Sequence, residues 1–308
     1  MRLATVRTAT GTTVCAATDR GLLDLGEALQ GTPWAGASLR GLLEAGPAAL
    51  DAVRAAIAAP GGTVFAEADV EFLPPIGDPP RVFCIGRNYE EHAKEGKAEV
   101  PEFPMIFLKP ATSLAGHGQP IEVPASTEKV DWEGEIALVI GTGGRDIPEE
   151  QALEHVAGYS IANDVTARDW QRRTSQFDQG KMFDTFGPFG PYLVTPDEAG
   201  DVTDMRVETR VNGEVMQSGN SGDMVYPMAM LVSYLSQAVR LLPGDVILTG
   251  TPSGVGYART PPVYLVPGDV VEVSVSGLGE LRNEVVAMAT SPGDPAGAQP
   301  TGSATPSR

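Results

Sequence analysis

From residue 2 to residue 18 apolar and polar positions alternate on either side of Thr10-Gly11, the pattern of a short hairpin. Two Ala/Leu-rich stretches, 21–29 and 38–59, then repeat at helical spacing, the second interrupted by Pro47. The segment FLPPIGDPPR (72–81) concentrates proline and glycine and reads as an extended connection. The chain thus divides near residue 78 into a small N-terminal α/β unit, 1–78, and a larger body, 79–290. Short strands and turn signals dominate the body. Val207 to Val211 and Glu214 to Gln217 flank Asn212-Gly213, a two-residue hairpin signal because both central residues tolerate positive φ. LLPGDVILTG (241–250) and LVPGDVVEVS (265–274) are two copies of one turn-then-strand unit, too few for a stacked-repeat architecture. Helices are expected at 148–156, at 166–173 and at 226–240, where Met228 and Met230, with Met224 just before, read as core filler. The predicted class is α+β, mainly β. From Ser291 the tail is rich in Pro, Gly, Ser and Ala with almost no apolar side chain, so 291–308 is expected to be disordered and dispensable.

Composition narrows the function classes. Hydrophobic residues form 42% of the 308 positions and charged residues 20%, an ordinary globular balance. Lys plus Arg number 22 against 40 Asp plus Glu, a net charge of -18 that repels nucleic acid and anionic lipid, so neither is an expected partner. No apolar run of about 18 residues exists to span a bilayer. The start, MRLATVRTATG, also lacks a signal-peptide pattern, and a cytoplasmic location is expected. Cys15 and Cys84 read as reduced, packed thiols.

The segment KVDWEGEIALVIG (129–141) reads as a strand. Period two puts Trp132, Ile136, Leu138 and Ile140 on one face and Glu133, Glu135, Ala137 and Val139 on the other. Two neighbouring carboxylates among apolar residues repel each other unless a cation sits between them; the alternative is an exposed strand with solvated acids. Asp164 adds a third carboxylate, in a strand that ends at Asn163-Asp164, with an ordinary helix N-cap as its other reading. Three carboxylates without nearby Cys or His form a hard oxygen set suited to Mg2+ or Mn2+; ligand type leaves Ca2+ open.

In CIGRNYEEHAKEGK (84–97), His92 and Glu95 stand three apart, so a helix stacks them and the carboxylate orients the imidazole. Arg87, Asn88 and Lys109 are nearby candidates for meeting an anionic substrate. His117 and His155 read as structural. Lys181, beside a Pro/Gly-punctuated aromatic segment, is either a snorkelling surface residue or a group that stabilises a developing enolate. LTGTPSGVG (248–256) is a loop able to offer backbone amides and the Thr251 hydroxyl to an oxyanion, and it lacks the Lys-Ser/Thr pair of a phosphate-binding loop.

The ordered set GRNYEEHAKE, FLKPATS, DWEGEIALVIG, ANDVTARDWQ, GKMFDTFGPFGP, NGEVMQSGN and LTGTPSGVG resembles the fumarylacetoacetate hydrolase family across residues 81–286. The resemblance implies a fumarylacetoacetate-hydrolase-like mixed β-roll, a small N-terminal domain and a homodimer. It also implies that Glu133, Glu135 and Asp164 ligate a divalent metal, and that His92 with Glu95 is an acid–base dyad on a mobile lid. Lys181 matches the family's active-site lysine, and Arg168, Gln171 and Thr251 match positions that contact substrate oxygens. Ile85 stands where fumarylacetoacetate hydrolases in the strict sense carry a further metal-binding aspartate, which favours the acylpyruvate and diketo-acid branch.

The expected activity is metal-assisted hydrolytic cleavage of a carbon-carbon bond in an acylpyruvate or related small anionic 2-oxo acid. His92 would activate water, while Lys181 and the metal would stabilise the enolate that leaves. Decarboxylation of a 2-oxo acid and a double-bond shift use the same constellation. A metal-binding or scaffold protein without catalysis is the rival from another class.

Overall fold

A computed structural model describes residues 1–59 and 61–289; the tail 291–308 lies outside the described residues. The predicted hairpin is present as strands Arg2–Thr8 and Gly11–Thr18. The stretch 21–29 is not one helix. It opens with strand Gly21–Asp24, which pairs with Gly11–Thr18, and only then makes one helical turn, Leu25–Ala28. Asp24 ends the strand and caps that turn, its carboxylate accepting from the Gly26 N–H at 2.8 Å. Pro47 splits 38–59 into helices Leu39–Glu44 and Pro47–Ala58, where it occupies the first turn and loses no hydrogen bond.

These N-terminal strands extend the sheet of the body. In the twelve-stranded sheet, Arg2–Thr8 pairs antiparallel with Gly187–Val194, in the register Leu3 to Leu193. The order continues through Val156–Asn163, Gly134–Ile140, Val246–Leu248 and Val82–Gly86 to Met105–Lys109. One face of this sheet is covered by the N-terminal helices, with Leu42 and Val53 in the same core as Ala137, Val139 and Val246. The opposite face packs on a five-stranded sheet that contains the Asn212-Gly213 hairpin, strands Arg206–Val211 and Glu214–Asn220; Ile136 and Leu138 there share a core with Val207 and Val273. Gly134–Ile140 is therefore buried on both faces, which is why its sequence is almost continuously apolar.

Two other elements differ from expectation. The segment 129–141 divides into Val130–Asp131, paired with Thr166–Ala167, and Gly134–Ile140. Between them the Glu133 N–H turns to the Asn163 side-chain oxygen at 2.9 Å, which takes it out of the ladder. The helix expected at 166–173 is the single turn Arg168–Gln171, because Thr166 and Ala167 are used as strand. The 148–156 segment is a 3-10 helix, Glu149–His155, and Met228–Ala238 is the third expected helix. Among the described residues no helix is long and apolar enough to cross a membrane.

Candidate active site

The strand Gly134–Ile140 and the end of Val156–Asn163 lie side by side, pairing Glu135 with Ala162 and Gly134 with Asn163, and this register brings Asp164 beside the two glutamates. One carboxylate oxygen from each of Glu133, Glu135 and Asp164 lies within 4.8 Å of the others. All three residues are shielded, at 5%, 2% and 1% exposure. A solvated edge strand is thereby excluded. Asp164 is not a helix cap either, since Ala167 occupies that position without a side-chain bond. Instead its carboxylate accepts from Lys109 Nζ at 2.7 Å and from Lys181 Nζ at 2.6 Å. Lys181, buried rather than snorkelling, also donates to Glu133 Oε2 at 2.6 Å, and its remaining contact, to the Asp164 carbonyl, is a long 3.4 Å.

Arg168 completes the cluster. Its Nε donates to Asp131 at 2.8 Å, and its Nη2 makes an ion pair with Glu133 Oε1 at 2.7 Å without the angle of a hydrogen bond. Gln171 accepts from Arg168 Nη1 at 3.1 Å. Thr251 donates its hydroxyl to the Gly134 carbonyl at 2.9 Å and accepts from Gln217, so its proton is committed within the protein. The loop that carries Thr251 also gives the Gly250 N–H to Glu135 at 2.7 Å.

The electrostatics separates the acids. Burial disfavours charge on Glu133, but Lys181 and Arg168 outweigh it and hold the carboxyl well below its usual range. Burial raises Glu135, and the negative charges of Asp164 and Glu133 push it further up. Lys181 loses stability as a cation through burial, yet Asp164 and Glu133 keep it protonated. Four carboxylates, Asp131, Glu133, Glu135 and Asp164, face three cations, Lys109, Arg168 and Lys181, leaving one negative charge uncompensated. Hard oxygen donors, an excess charge and a Glu135 carboxylate disfavoured as an anion fit a divalent cation such as Mg2+ or Mn2+.

His92 and Glu95 sit on helix Glu90–Glu95 as the spacing predicts, with His92 Nδ1 and Glu95 Oε1 at 2.8 Å. The Gly254 N–H donates to the other Glu95 oxygen at 2.9 Å, tying this helix to the Thr251 loop. A carboxylate only accepts, so Nδ1 carries the hydrogen and Nε2 is the basic nitrogen. The dyad, Glu133 and Glu135 line one cavity of about 600 Å³, as do Arg168, Gln171, Lys181 and Thr251. Asp164 stands just behind its wall.

Other candidates divide. Arg87 borders the cavity. Asn88 does not: its amide is used on the Tyr226 and Thr249 carbonyls and the Tyr226 N–H. Lys109 supports Asp164 from behind. His155 donates to the Thr142 carbonyl and His117 accepts from the Arg282 N–H, both away from the cavity. Sequence reasoning missed Asp131, which also accepts from the N–H groups of Gly256 and Tyr257. Two positions before Glu133, it carried the same alternation that singled out the glutamates. Tyr257 was missed too; its ring lies 4.4 Å from the Arg168 guanidinium and lines the cavity. The walls invert the charge of the chain: Arg87, Lys97, Arg168, Arg172, Lys181 and Arg259 stand against only Glu95, Glu133 and Glu135.

The family model described as fumarylacetoacetate (FAA) hydrolase C-terminal matches residues 81–286, about two thirds of the chain. The chain belongs to the fumarylacetoacetate hydrolase family. Relatives in this family include human oxaloacetate tautomerase FAHD2A, mitochondrial, 47% identical over 246 residues, 79% of this chain and 78% of that protein. Oxaloacetate tautomerase YisK of Bacillus subtilis is 42% identical over 229 residues, covering 73% and 76%. Among solved structures, 5-carboxymethyl-2-hydroxymuconate delta-isomerase from Mycobacterium smegmatis superposes with a TM-score of 0.74 at 36% identity, over 94% of this chain and 100% of that one. The family fold accounts for the mainly β architecture. Ile85 is a buried apolar wall of the cavity, and among the described residues the acid set there is Glu133, Glu135 and Asp164.

Proposed function

We propose that this enzyme moves a proton between carbon and oxygen in a small anionic 2-oxo acid, interconverting the keto and enol forms of a compound such as oxaloacetate. The carrying observation is the His92–Glu95 pair lining the same cavity as Lys181, Glu133 and Glu135, with Asp164 held just behind the wall by Lys181. Two relatives named as oxaloacetate tautomerases, at 42% and 47% identity, favour proton transfer over hydrolysis.

His92 Nε2 takes a proton from C3, the C2–C3 double bond forms, and the carbonyl electron pair moves to oxygen. Glu95 holds the ring in the basic tautomer and offsets the positive charge it acquires. Lys181, whose third N–H makes only the 3.4 Å contact, faces the developing negative charge and stabilises it. The enol forms when that oxygen takes a proton from water and the His92 imidazolium gives its proton to the hydroxide left behind; ketonisation runs the same steps in reverse. Glu133, Glu135 and Asp164 would hold a divalent cation, Mg2+ or Mn2+, which supplies Lewis acidity toward the 2-oxo acid when bound. Arg168 and Gln171 bind the substrate's oxygens, with Thr251 closing the wall beside them.

Carbon-carbon hydrolysis of an acylpyruvate uses the same His92 on water, and decarboxylation the same enolate stabilisation. A product assay separates the three: a tautomerase accelerates decay of enol absorbance in fresh oxaloacetate and deuterium entry at C3 without releasing pyruvate, CO2 or a cleaved acid. Release of those products would replace this reading with lyase or hydrolase activity. A homodimer accompanies the proposal, supported by the exposed Ile106 and Leu108 on the outermost strand of the large sheet.

A further inference from the structure

Four of the six cavity cations, Arg87, Lys97, Arg172 and Arg259, make no ion pair among the described residues. Arg168 and Lys181 are paired with carboxylates, whereas Arg172 and Arg259 have none within 4.0 Å among the described residues. In a chain with 40 acidic and 22 basic side chains, that isolation is informative. Each guanidinium is nonetheless held in place. Arg172 stacks at 4.5 Å from the centre of the Tyr257 ring, and Arg259, two residues beyond Tyr257, donates from Nη2 to the Met216 carbonyl at 2.8 Å. The Arg259 Nε is shut off from solvent and has no partner. A buried N–H on a charged group left unbonded is destabilising, and a fixed guanidinium with donors to spare is the geometry that receives a carboxylate. Depth also fits. Arg172 is exposed and Arg259 half-buried, while the acids and Lys181 are buried, so the two arginines lie nearer the mouth than the proposed reacting end.

We infer that Arg259 and Arg172 form a distal anion subsite that selects 2-oxo acids carrying a second carboxylate. This rests on the proposed reading of the inner cavity as the 2-oxo-acid end. The inner site then meets the reacting end, and the arginines take the far carboxylate by charge-assisted hydrogen bonds. Specificity for diacids follows because a monocarboxylate leaves the Arg172 and Arg259 guanidinium groups without an anion.

The test is an equilibrium titration of the full chain with Mg2+ present, using three ligands that are not turned over: malate, lactate and oxalate. Malate and lactate differ in the distal carboxylate, and oxalate reaches only the inner site. Wild type is expected to bind malate roughly tenfold or more tighter than lactate. Arg259→Met should erase that preference and leave oxalate and lactate affinities unchanged, with Arg259→Lys keeping part of it. Arg172→Met, at an exposed position, should reduce the preference and serves as the test if Arg259→Met does not fold. Equal wild-type affinity for malate and lactate beside normal oxalate binding would overturn the subsite alone, as would a preference that survives Arg172→Met and a folded Arg259→Met. No oxalate binding would overturn the underlying reading of the cavity.

Discussion

Glu135 is the carboxylate its surroundings compensate least: the Gly250 N–H is its hydrogen-bond donor, while Lys181 spends its hydrogen bonds on Glu133 and Asp164. Replacing it by glutamine keeps the shape and removes a charge that the cation-free protein tolerates poorly. Glu135→Gln is therefore expected to weaken Mg2+ or Mn2+ binding by on the order of tenfold or more in a calorimetric titration. Turnover should disappear, while the melting temperature of the metal-free protein should not fall. Unchanged metal affinity would remove Glu135 from the ligand set. Asp131 makes the complementary case. Asp131→Asn keeps an acceptor for Arg168 but adds an NH2 group where the carboxylate takes N–H groups from Gly256 and Tyr257. We expect a loss of about 1–3 kcal/mol in chemical denaturation, the cost of a buried donor or acceptor left unmatched. The glutamates were legible in the sequence because alternation singles out charges on an apolar strand. Asp131 obeys the same alternation, but its partners come from segments 37 and 125 residues away, and no local pattern announces them.

At the scale of elements, the hairpins, the Pro47 break and the His92–Glu95 helix could be read because their signals are local: turn residues, a proline without an N–H, and an i, i+3 pair. The failures were tertiary. Strand 129–141 breaks at Glu133 because Asn163, on the neighbouring strand, claims its N–H. The 166–173 helix is short because Thr166–Ala167 pairs with Val130–Asp131. Gly134 shows what this packing demands. A Cβ there would come within 2.1 Å of Thr209 Oγ1 and 2.9 Å of Val273 Cγ1, atoms of the five-stranded sheet. Gly134→Ala should cost about 1–3 kcal/mol by overpacking, seen as a drop of several degrees in melting temperature. It should also weaken metal binding, since Glu133 and Glu135 flank the displaced residue. A variant as stable as wild type would show that the two sheets have slack at this point.

For the whole molecule, the boundary near residue 78 separates two parts that share one sheet and one core. Leu3 pairs with Leu193, and the N-terminal helices cover Ala137 and Val139, on the strand that carries Glu135. Truncation to residue 79 would expose that face, so the fragment is expected not to fold alone, and the full chain should unfold in one cooperative transition by circular dichroism. A stable, metal-binding 79–290 fragment would make the N-terminal part an independent addition. The charge pattern also belongs to this scale: a chain of net charge -18 keeps a cavity with more cations than acids, a contrast that attracts a small anion. The central claim is that His92 transfers a proton at carbon in such an anion, and its most direct test is the Mg2+-dependent decay of enol absorbance in fresh oxaloacetate, wild type against His92→Ala. Wild type should accelerate the decay with oxaloacetate conserved, and His92→Ala should lose roughly 10²- to 10⁴-fold in kcat at unchanged Mg2+ affinity. Full activity in His92→Ala, or decay in wild type that tracks the release of pyruvate and CO2, would contradict the account.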